Sequence, residues 1–192
     1  MTDKFLQCLQ FVLKWEGGLS HDPDDPGGRT YRGVTQARYN QYRKAKGLPL
    51  RDVALMTDAE MREIYWTYYW LPVKGDEFAH PLALAVFDTG VNMGTGTAIK
   101  LLQRAINDLL PKEKWIAVNG VLGQQTLTAA KSLNPIQLAL RLCDRREERY
   151  RAIVRANPKL GKFLKGWLNR LNDLRKTINS LQKNIKGVAQ KK

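Results

Sequence analysis

Apolar residues recur at steps of three and four along most of the chain, which is the spacing of one buried face of an α-helix. The first such stripe contains Phe5, Leu9, Val12 and Leu13. It predicts a helix from about Asp3 to Trp15 or Glu16, with the Glu16 side chain on the buried side. Gly17 and Gly18 follow directly and favour the end of the helix at this point.

Later segments repeat this helical pattern. The spacing predicts further helices over about 36–46, 58–71, 80–92, 97–110, 124–131, 135–156 and 159–185. Residues 20–28 have the composition of a loop, and residues 29–35 can form a short strand or hairpin arm. The sequence therefore predicts a mainly α fold with at most a small N-terminal β-hairpin. A soft boundary within about 75–81 divides the chain into lobes 1–80 and 81–185, followed by a basic tail, 186–192.

Composition places the chain among soluble globular proteins. It has 192 residues, of which 43% are hydrophobic and 26% are charged, so disorder is not expected. The segment 5–13 is interrupted by polar residues and lacks a cleavage site, so it predicts neither a signal peptide nor a membrane span. We therefore expect synthesis in the cytoplasm. Cys8 and Cys143 lack metal-site or redox spacing, so no metal, cofactor or disulfide is expected.

The net charge of +14 is concentrated near the C-terminus. Residues 141–192 hold 16 Lys and Arg against 4 Asp and Glu. This asymmetry indicates an anionic partner: a nucleic acid, an anionic membrane or a cell-envelope polymer. The last helix has a complete apolar stripe and few aromatic residues, which argues against nucleic acid. It can insert into lipid as an amphipathic helix, or it can pack on the core with a solvated basic face, which we prefer.

Glu16 is the main candidate for catalysis. A carboxyl group at the C-terminal end of a helix faces the negative end of the dipole, and burial also disfavours its charged form. A glutamate that stays protonated near neutral pH can act as a general acid in glycoside hydrolysis. The alternative is that Glu16 is an ordinary helix-terminal residue that faces water.

The aspartate-rich loop offers a second carboxylate. Asp22, Asp24 and Asp25 do not form a calcium loop, because Gly33 stands where a bidentate glutamate is required. Aspartates beside proline and glycine often only form turns. If one of them belongs to a glycosidase pair, we expect it to be Asp25, and Asp22 less so.

Two further groups can contact a substrate. Five aromatic residues fall within 65–70, which is more than one buried helix face accepts, so Tyr65, Tyr69 or Trp70 can line a cleft as well as fill the core. Asp88 and Asn92 lie four apart on one face of an otherwise apolar helix. They can bind a glycan or hold the loop that follows Glu16.

Several of these residues carry a family resemblance. Glu16-Gly17-Gly18, the run DPDDPGG at 22–28 and Arg32-Gly33-Val34-Thr35 resemble the N-terminal signature of the glycoside hydrolase family 108 lysozymes. The likeness continues through residues 65–70, 87–94, 103, 120–126 and 166–170. It implies a lysozyme-like helical fold, with Glu16 as catalytic acid and a peptidoglycan-binding second half. The spacing from Glu16 to Asp25 is also similar to that of another group of phage lysozymes, whose third catalytic residue is a threonine. In this chain Thr30 lies one residue short of that position, which Tyr31 occupies.

The sequence thus predicts an endolysin-like N-acetylmuramidase that cleaves the β-1,4 bond between N-acetylmuramic acid and N-acetylglucosamine. We expect Glu16, Asp25 and Asp22 to be catalytic. Six further residues are expected to bind substrate: Thr30, Tyr65, Tyr69, Trp70, Asp88 and Asn92. The expected partner is peptidoglycan, reached in the periplasm or cell wall after release. Anionic lipids can bind the basic helix, no nucleic acid is expected, and the protein is expected to be a monomer. The alternative is a non-catalytic basic helical protein that binds envelope polymers, membrane or nucleic acid.

Overall fold

The computed structural model describes residues 1–20 and 29–189, with side chains over 1–18 and 29–181. The chain divides into two compact units, Met1–Pro72 and Val73–Lys192. This division follows packing and falls at Pro72. The predicted boundary after residue 80 stays a prediction.

The described part of the first unit combines helices with a small sheet. Its elements are α1 (Asp3–Trp15), β1 (Leu19–Ser20), β2 (Thr30–Tyr31), β3 (Val34–Thr35), α2 (Gln36–Ala45) and α3 (Asp58–Tyr65). The strands form an antiparallel sheet in the order β1-β2-β3. The mainly α fold class is confirmed. The predicted hairpin is β2 and β3, and β1 adds a strand too short to show a period of two in the sequence.

Helix α1 forms where its apolar stripe predicted it. The Thr2 side chain caps the helix by accepting a hydrogen bond of 3.3 Å from the Phe5 N–H. Phe5, Cys8 and Val12 are fully buried, and full burial of a large apolar side chain contributes about 1.5–3 kcal/mol. This face fixes α1 on the core of its unit and so fixes the position of its C-terminal end.

Helix α3 begins at its predicted start, Asp58, and ends differently from the prediction. Thr57 and Glu60 form a capping box, in which each side chain accepts a hydrogen bond from the other residue's backbone N–H. The α-helix predicted over 58–71 instead changes after Tyr65 into a π-helical turn, Trp66–Trp70. In an α-helix, residues five apart point about 140° away from each other. The wider turn allows both Tyr65 and Trp70 to be fully buried.

The described part of the second unit is built from helices around a buried central one. The helices are α4 (His80–Met93), α5 (Thr95–Leu109), α6 (Gln124–Lys131), α7 (Pro135–Ala156) and α8 (Gly161–Ala189). Helix α4 is buried from Pro81 to Gly90 and packs against α5, α7 and α8. None of the described helices is both long and apolar enough to span a bilayer.

The basic C-terminal helix packs on the core. Leu171, Leu174 and Ile178 of α8 are fully buried, and α8 packs along α7. This confirms the preferred interpretation of the helix, in which the apolar stripe packs on protein and a basic face with Lys162, Lys165 and Lys176 is exposed to solvent. Arg170 is the exception, since it is buried beside Leu171. The helix continues to Ala189, beyond its predicted end at Ile185.

Candidate active site

Glu16 lies where the chain leaves α1. Its backbone is extended (φ −87°, ψ 126°), while its N–H still donates a hydrogen bond of 3.1 Å to the Val12 carbonyl oxygen. The residue is half-buried rather than fully buried. The sequence thus predicted its place at the end of the helix correctly.

The turn between β2 and β3 approaches the Glu16 carboxyl group. Its two residues, Arg32 and Gly33, both have positive φ (49° and 76°), as a two-residue hairpin of this type requires. A Cβ atom on Gly33 would lie 2.7 Å from Glu16 Oε2 and 2.4 Å from the Tyr65 hydroxyl oxygen. Glycine is therefore required at this position both by its backbone angle and by the close approach of two side chains.

Tyr65 holds the turn from the other side. Its ring is fully buried at the end of α3, and its hydroxyl donates a hydrogen bond of 2.9 Å to the Arg32 carbonyl oxygen. The Arg32 side chain forms an ion pair with Asp58 in the first turn of α3. Three elements thus meet at the Glu16 carboxyl group: the end of α1, the β2–β3 turn and the end of α3.

A cavity of about 290 Å³ lies within the same unit. Half of its lining is polar, namely Gln10, Arg32, Asp58 and Arg62, and the other half is apolar, namely Leu6, Leu9, Leu13 and Met61. Its size is near the lower end for small-molecule sites, about 300 Å³. Arg32 therefore belongs both to this cavity and to the turn that contacts Glu16.

The remaining predicted residues of the first unit occupy different environments. Thr30 is half-buried in β2, paired with Ser20 and Thr35. Tyr69 is half-buried, with its ring 5.6 Å from that of Tyr65. Trp70 is fully buried with its ring 5.5 Å from Phe5, so a sugar could reach it only if this packing opened. Asp22 and Asp25 lie outside the residues that the structure describes, and their roles stay predictions.

Asp88 and Asn92 have protein partners inside the second unit. Asp88 is fully buried and accepts hydrogen bonds from Arg146 (2.5 Å) and Arg170 (2.7 Å). Although burial opposes its charge, these two guanidinium groups hold the pKa of Asp88 below its usual range. Asn92 is half-buried and accepts a hydrogen bond of 2.6 Å from the Tyr150 hydroxyl. Asp88 is thus enclosed by protein partners. A glycan could contact it only if the side chain became exposed.

Sequence reasoning missed the residues that support these groups. Arg146 lies four residues from both Leu142 and Tyr150, so it stands on the apolar stripe of α7, and Arg170 likewise lies four before Leu174. An arginine at such a position signals a buried partner. For Gly33 no comparable signal exists, because a hairpin glycine does not show which side chains approach it.

Replacing Gly33 by alanine tests whether the close approach of the β2–β3 turn to Glu16 is needed for activity. We expect Gly33→Ala to reduce peptidoglycan hydrolysis by about 10²-fold, because misplacing a catalytic group by about 1 Å has an effect of this size. The left-handed backbone adds a stability loss of about 1–2 kcal/mol. Rates of reducing-end release and thermal unfolding measure the two effects.

The matched control is Gly47→Ala. Gly47 also has positive φ (67°), but nothing lies within 4 Å of a Cβ atom at this position. Its variant should show the stability loss and keep the wild-type rate. If both variants kept that rate, or both lost it equally, the contact with Glu16 would have no catalytic importance.

Comparisons with known proteins show which families and which fold this chain resembles. A family model described as Glycosyl hydrolase 108 matches residues 9–94, and one described as Predicted Peptidoglycan domain matches residues 97–172. The solved structure titled "Structure of Brucella abortus SagA" is similar at 27% identity, with a TM-score of 0.73. The similarity covers 92% of this chain and 94% of the Brucella abortus chain. A search of curated proteins found no match.

Proposed function

Because this chain belongs to the glycosyl hydrolase 108 family and is a peptidoglycan hydrolase, we propose that Glu16 is its general acid. The observation that carries this assignment is the missing Cβ at Gly33, which leaves room for the Glu16 carboxyl group beside the turn. The turn and the Tyr65 hydroxyl limit the positions open to this carboxyl group before substrate arrives, and general acid catalysis requires a positioned proton donor. The family match favours this enzyme over the non-catalytic alternative.

The proposed reaction is hydrolysis of the β-1,4 bond between N-acetylmuramic acid and N-acetylglucosamine. Glu16 gives its proton to the bridging oxygen as the bond between that oxygen and the anomeric carbon of the muramic acid breaks. The oxygen of a water molecule bonds to this carbon. The proton that the water loses is taken up by the carboxylate pair, which restores the protonated Glu16. We assign the second carboxylate to Asp25, with Asp22 as the less favoured choice.

Substrate contacts in the first unit are proposed for the polar groups near the turn. Thr30 is on the strand that leads into the turn, and Tyr69 packs on Tyr65 while keeping part of its ring exposed. The cavity lined by Arg32 provides donors suited to sugar hydroxyl and acetamido oxygens. Tyr65 would act through the turn, since its hydroxyl is bonded to Arg32.

The proposal also includes the route to the substrate. The protein would be made in the cytoplasm and act as a monomer in the periplasm or cell wall after release. The excess positive charge of residues 141–192 would attract it to anionic envelope lipids and polymers by long-range forces.

Mass spectrometry of digested peptidoglycan identifies the bond that is cleaved. After borohydride reduction of the products, we expect reduced N-acetylmuramic acid at the new chain ends, because this sugar carries the anomeric carbon that water attacks. Glu16→Gln should form these products about 10²–10⁴-fold more slowly than wild type. Reduced N-acetylglucosamine at these ends would instead identify a glucosaminidase and contradict the assigned bond.

A further inference from the structure

A second cavity lies within the unit Val73–Lys192. It has a volume of about 180 Å³ and is lined by residues of α4, α5, α7 and α8. Sites that enclose a whole drug-sized ligand measure about 300–1,000 Å³, so this cavity takes one small group of a larger molecule. The groups that matter for its chemistry are Asn92, Arg149, Tyr150 and Trp167.

Arg149 supplies the charge of this cavity. Of the described residues that line it, Arg149 alone is charged. Three neighbouring arginines of α7, Arg145, Arg146 and Arg151, pair with carboxylates. Arg149 is exposed and has no hydrogen bond or ion pair within the described part of the chain. Its guanidinium group is therefore available for a carboxylate, which it can bind through two parallel N–H groups.

A buried hydrogen-bond chain sets the orientation of Asn92. Arg146 can only donate, and its Nε donates to the Tyr150 oxygen at 2.8 Å. The Tyr150 proton then goes to Asn92 Oδ1, 2.6 Å away. Burial raises the pKa of Tyr150, so this proton is retained at neutral pH. No described residue accepts from the Asn92 NH₂ group, which remains able to donate.

The apolar part of the lining combines Met93 and Ile153 with the aromatic rings of Tyr150 and Trp167. The Trp167 ring stacks on Tyr150, with centroids 5.0 Å apart and planes 20° apart. Phe163 extends the stack at 6.0 Å and is itself 46% exposed. Such a surface suits small alkyl groups beside a polar ligand atom.

From this combination we propose that the cavity binds the stem peptide of peptidoglycan through a free carboxylate. Arg149 pairs with the carboxylate, Asn92 donates to a neighbouring amide carbonyl oxygen, and the rings contact alanine methyl groups. This inference depends on peptidoglycan as the substrate but is independent of the role of Glu16. It assigns recognition of the peptide to the second unit, separately from recognition of the sugars at the bond that is cleaved.

Titration calorimetry with soluble muropeptides tests this assignment. The probes are a disaccharide of N-acetylglucosamine and N-acetylmuramic acid carrying its tetrapeptide, and the same disaccharide without peptide. The variant Arg149→Gln removes the charge, and Arg155→Gln is the matched control. Arg155 is an exposed arginine of the same helix that does not line the cavity.

We expect Arg149→Gln to weaken binding of the peptide-bearing disaccharide by about tenfold or more, the loss typical of a charge-assisted hydrogen bond. Arg149→Lys should lose less, because it keeps the charge but not the paired N–H groups. Arg155→Gln should bind the peptide-bearing disaccharide with wild-type affinity. The affinity for the bare disaccharide should be the same in all variants. Unchanged binding in Arg149→Gln, or equal loss for both disaccharides, would overturn the proposal. Anionic phospholipid vesicles serve as a third probe. If Arg149→Gln weakened binding to these vesicles but not to the peptide-bearing disaccharide, the proposal would also be overturned.

Discussion

Replacing Glu16 by glutamine is expected to slow the release of reducing ends from purified peptidoglycan by about 10²–10⁴-fold. This range is the usual contribution of a positioned general acid, and glutamine keeps the size of the side chain without its acidic proton. Sedimentation with peptidoglycan should remain, because the matched peptidoglycan-binding region lies elsewhere in the chain, at residues 97–172.

The matched control for this variant is Glu113→Gln. Glu113 is exposed in a short turn of 3₁₀ helix, Lys112–Lys114. Its variant should keep the wild-type rate. A Glu16→Gln protein that hydrolyses peptidoglycan as fast as this control would remove Glu16 from the mechanism.

Replacing Asp88 by asparagine is expected to lower the free energy of unfolding by about 3–5 kcal/mol. This loss is typical when one partner of a buried ion pair is removed. Arg146 would keep a fully buried charge without its carboxylate, and Arg170 would lose the same partner. The loss is a large fraction of the usual stability of a domain, about 5–15 kcal/mol. Denaturant unfolding of wild type and variant measures it.

The stability difference between wild type and Asp88→Asn should also depend on pH. The pKa of Asp88 is lowered in the folded protein. Its stabilisation is therefore complete above the unfolded value, about 3.9, and is lost as the pH falls towards the folded value. The stability difference between wild type and Asp88→Asn should accordingly be full at pH 7 and shrink below about pH 4.

Asp144→Asn is the control for a carboxylate near the surface. Asp144 also pairs with two arginines, Arg141 and Arg175, but its side chain is 48% exposed. Surface pairs of this kind contribute about 0–1 kcal/mol. Equal losses in the two variants would mean that the buried cluster around Asp88 has no special structural role.

Local signals in the sequence predicted most of the helices. Helix α7 begins at Pro135 and ends at Ala156 as predicted, because Asn134 caps it and the apolar stripe continues to its end. The start of α3 was similarly encoded by its capping box. These features depend on residues within one or two turns of each other, so a single sequence is sufficient to show them.

Features that depend on distant partners were not predictable in this way. The π-helical turn at Trp66–Trp70 packs against Phe5, which belongs to another helix. The sequence suggested that Asp88 binds a glycan. Its arginine partners lie far away in the sequence, on α7 and α8, so the buried ion pairs could not be seen there. The position of Glu16 at a helix end was predictable, whereas the approach of the β2–β3 turn and of Tyr65 to its carboxyl group was not.

A comparison of leaving groups tests the role of Glu16 most directly. The substrates are peptidoglycan and a muropeptide glycoside with a dinitrophenolate leaving group, which needs no proton in order to depart. We predict that Glu16→Gln loses about 10²–10⁴-fold in rate on peptidoglycan but only a small part of this on the aryl glycoside. Equal losses on both substrates would contradict a proton-donating role for Glu16.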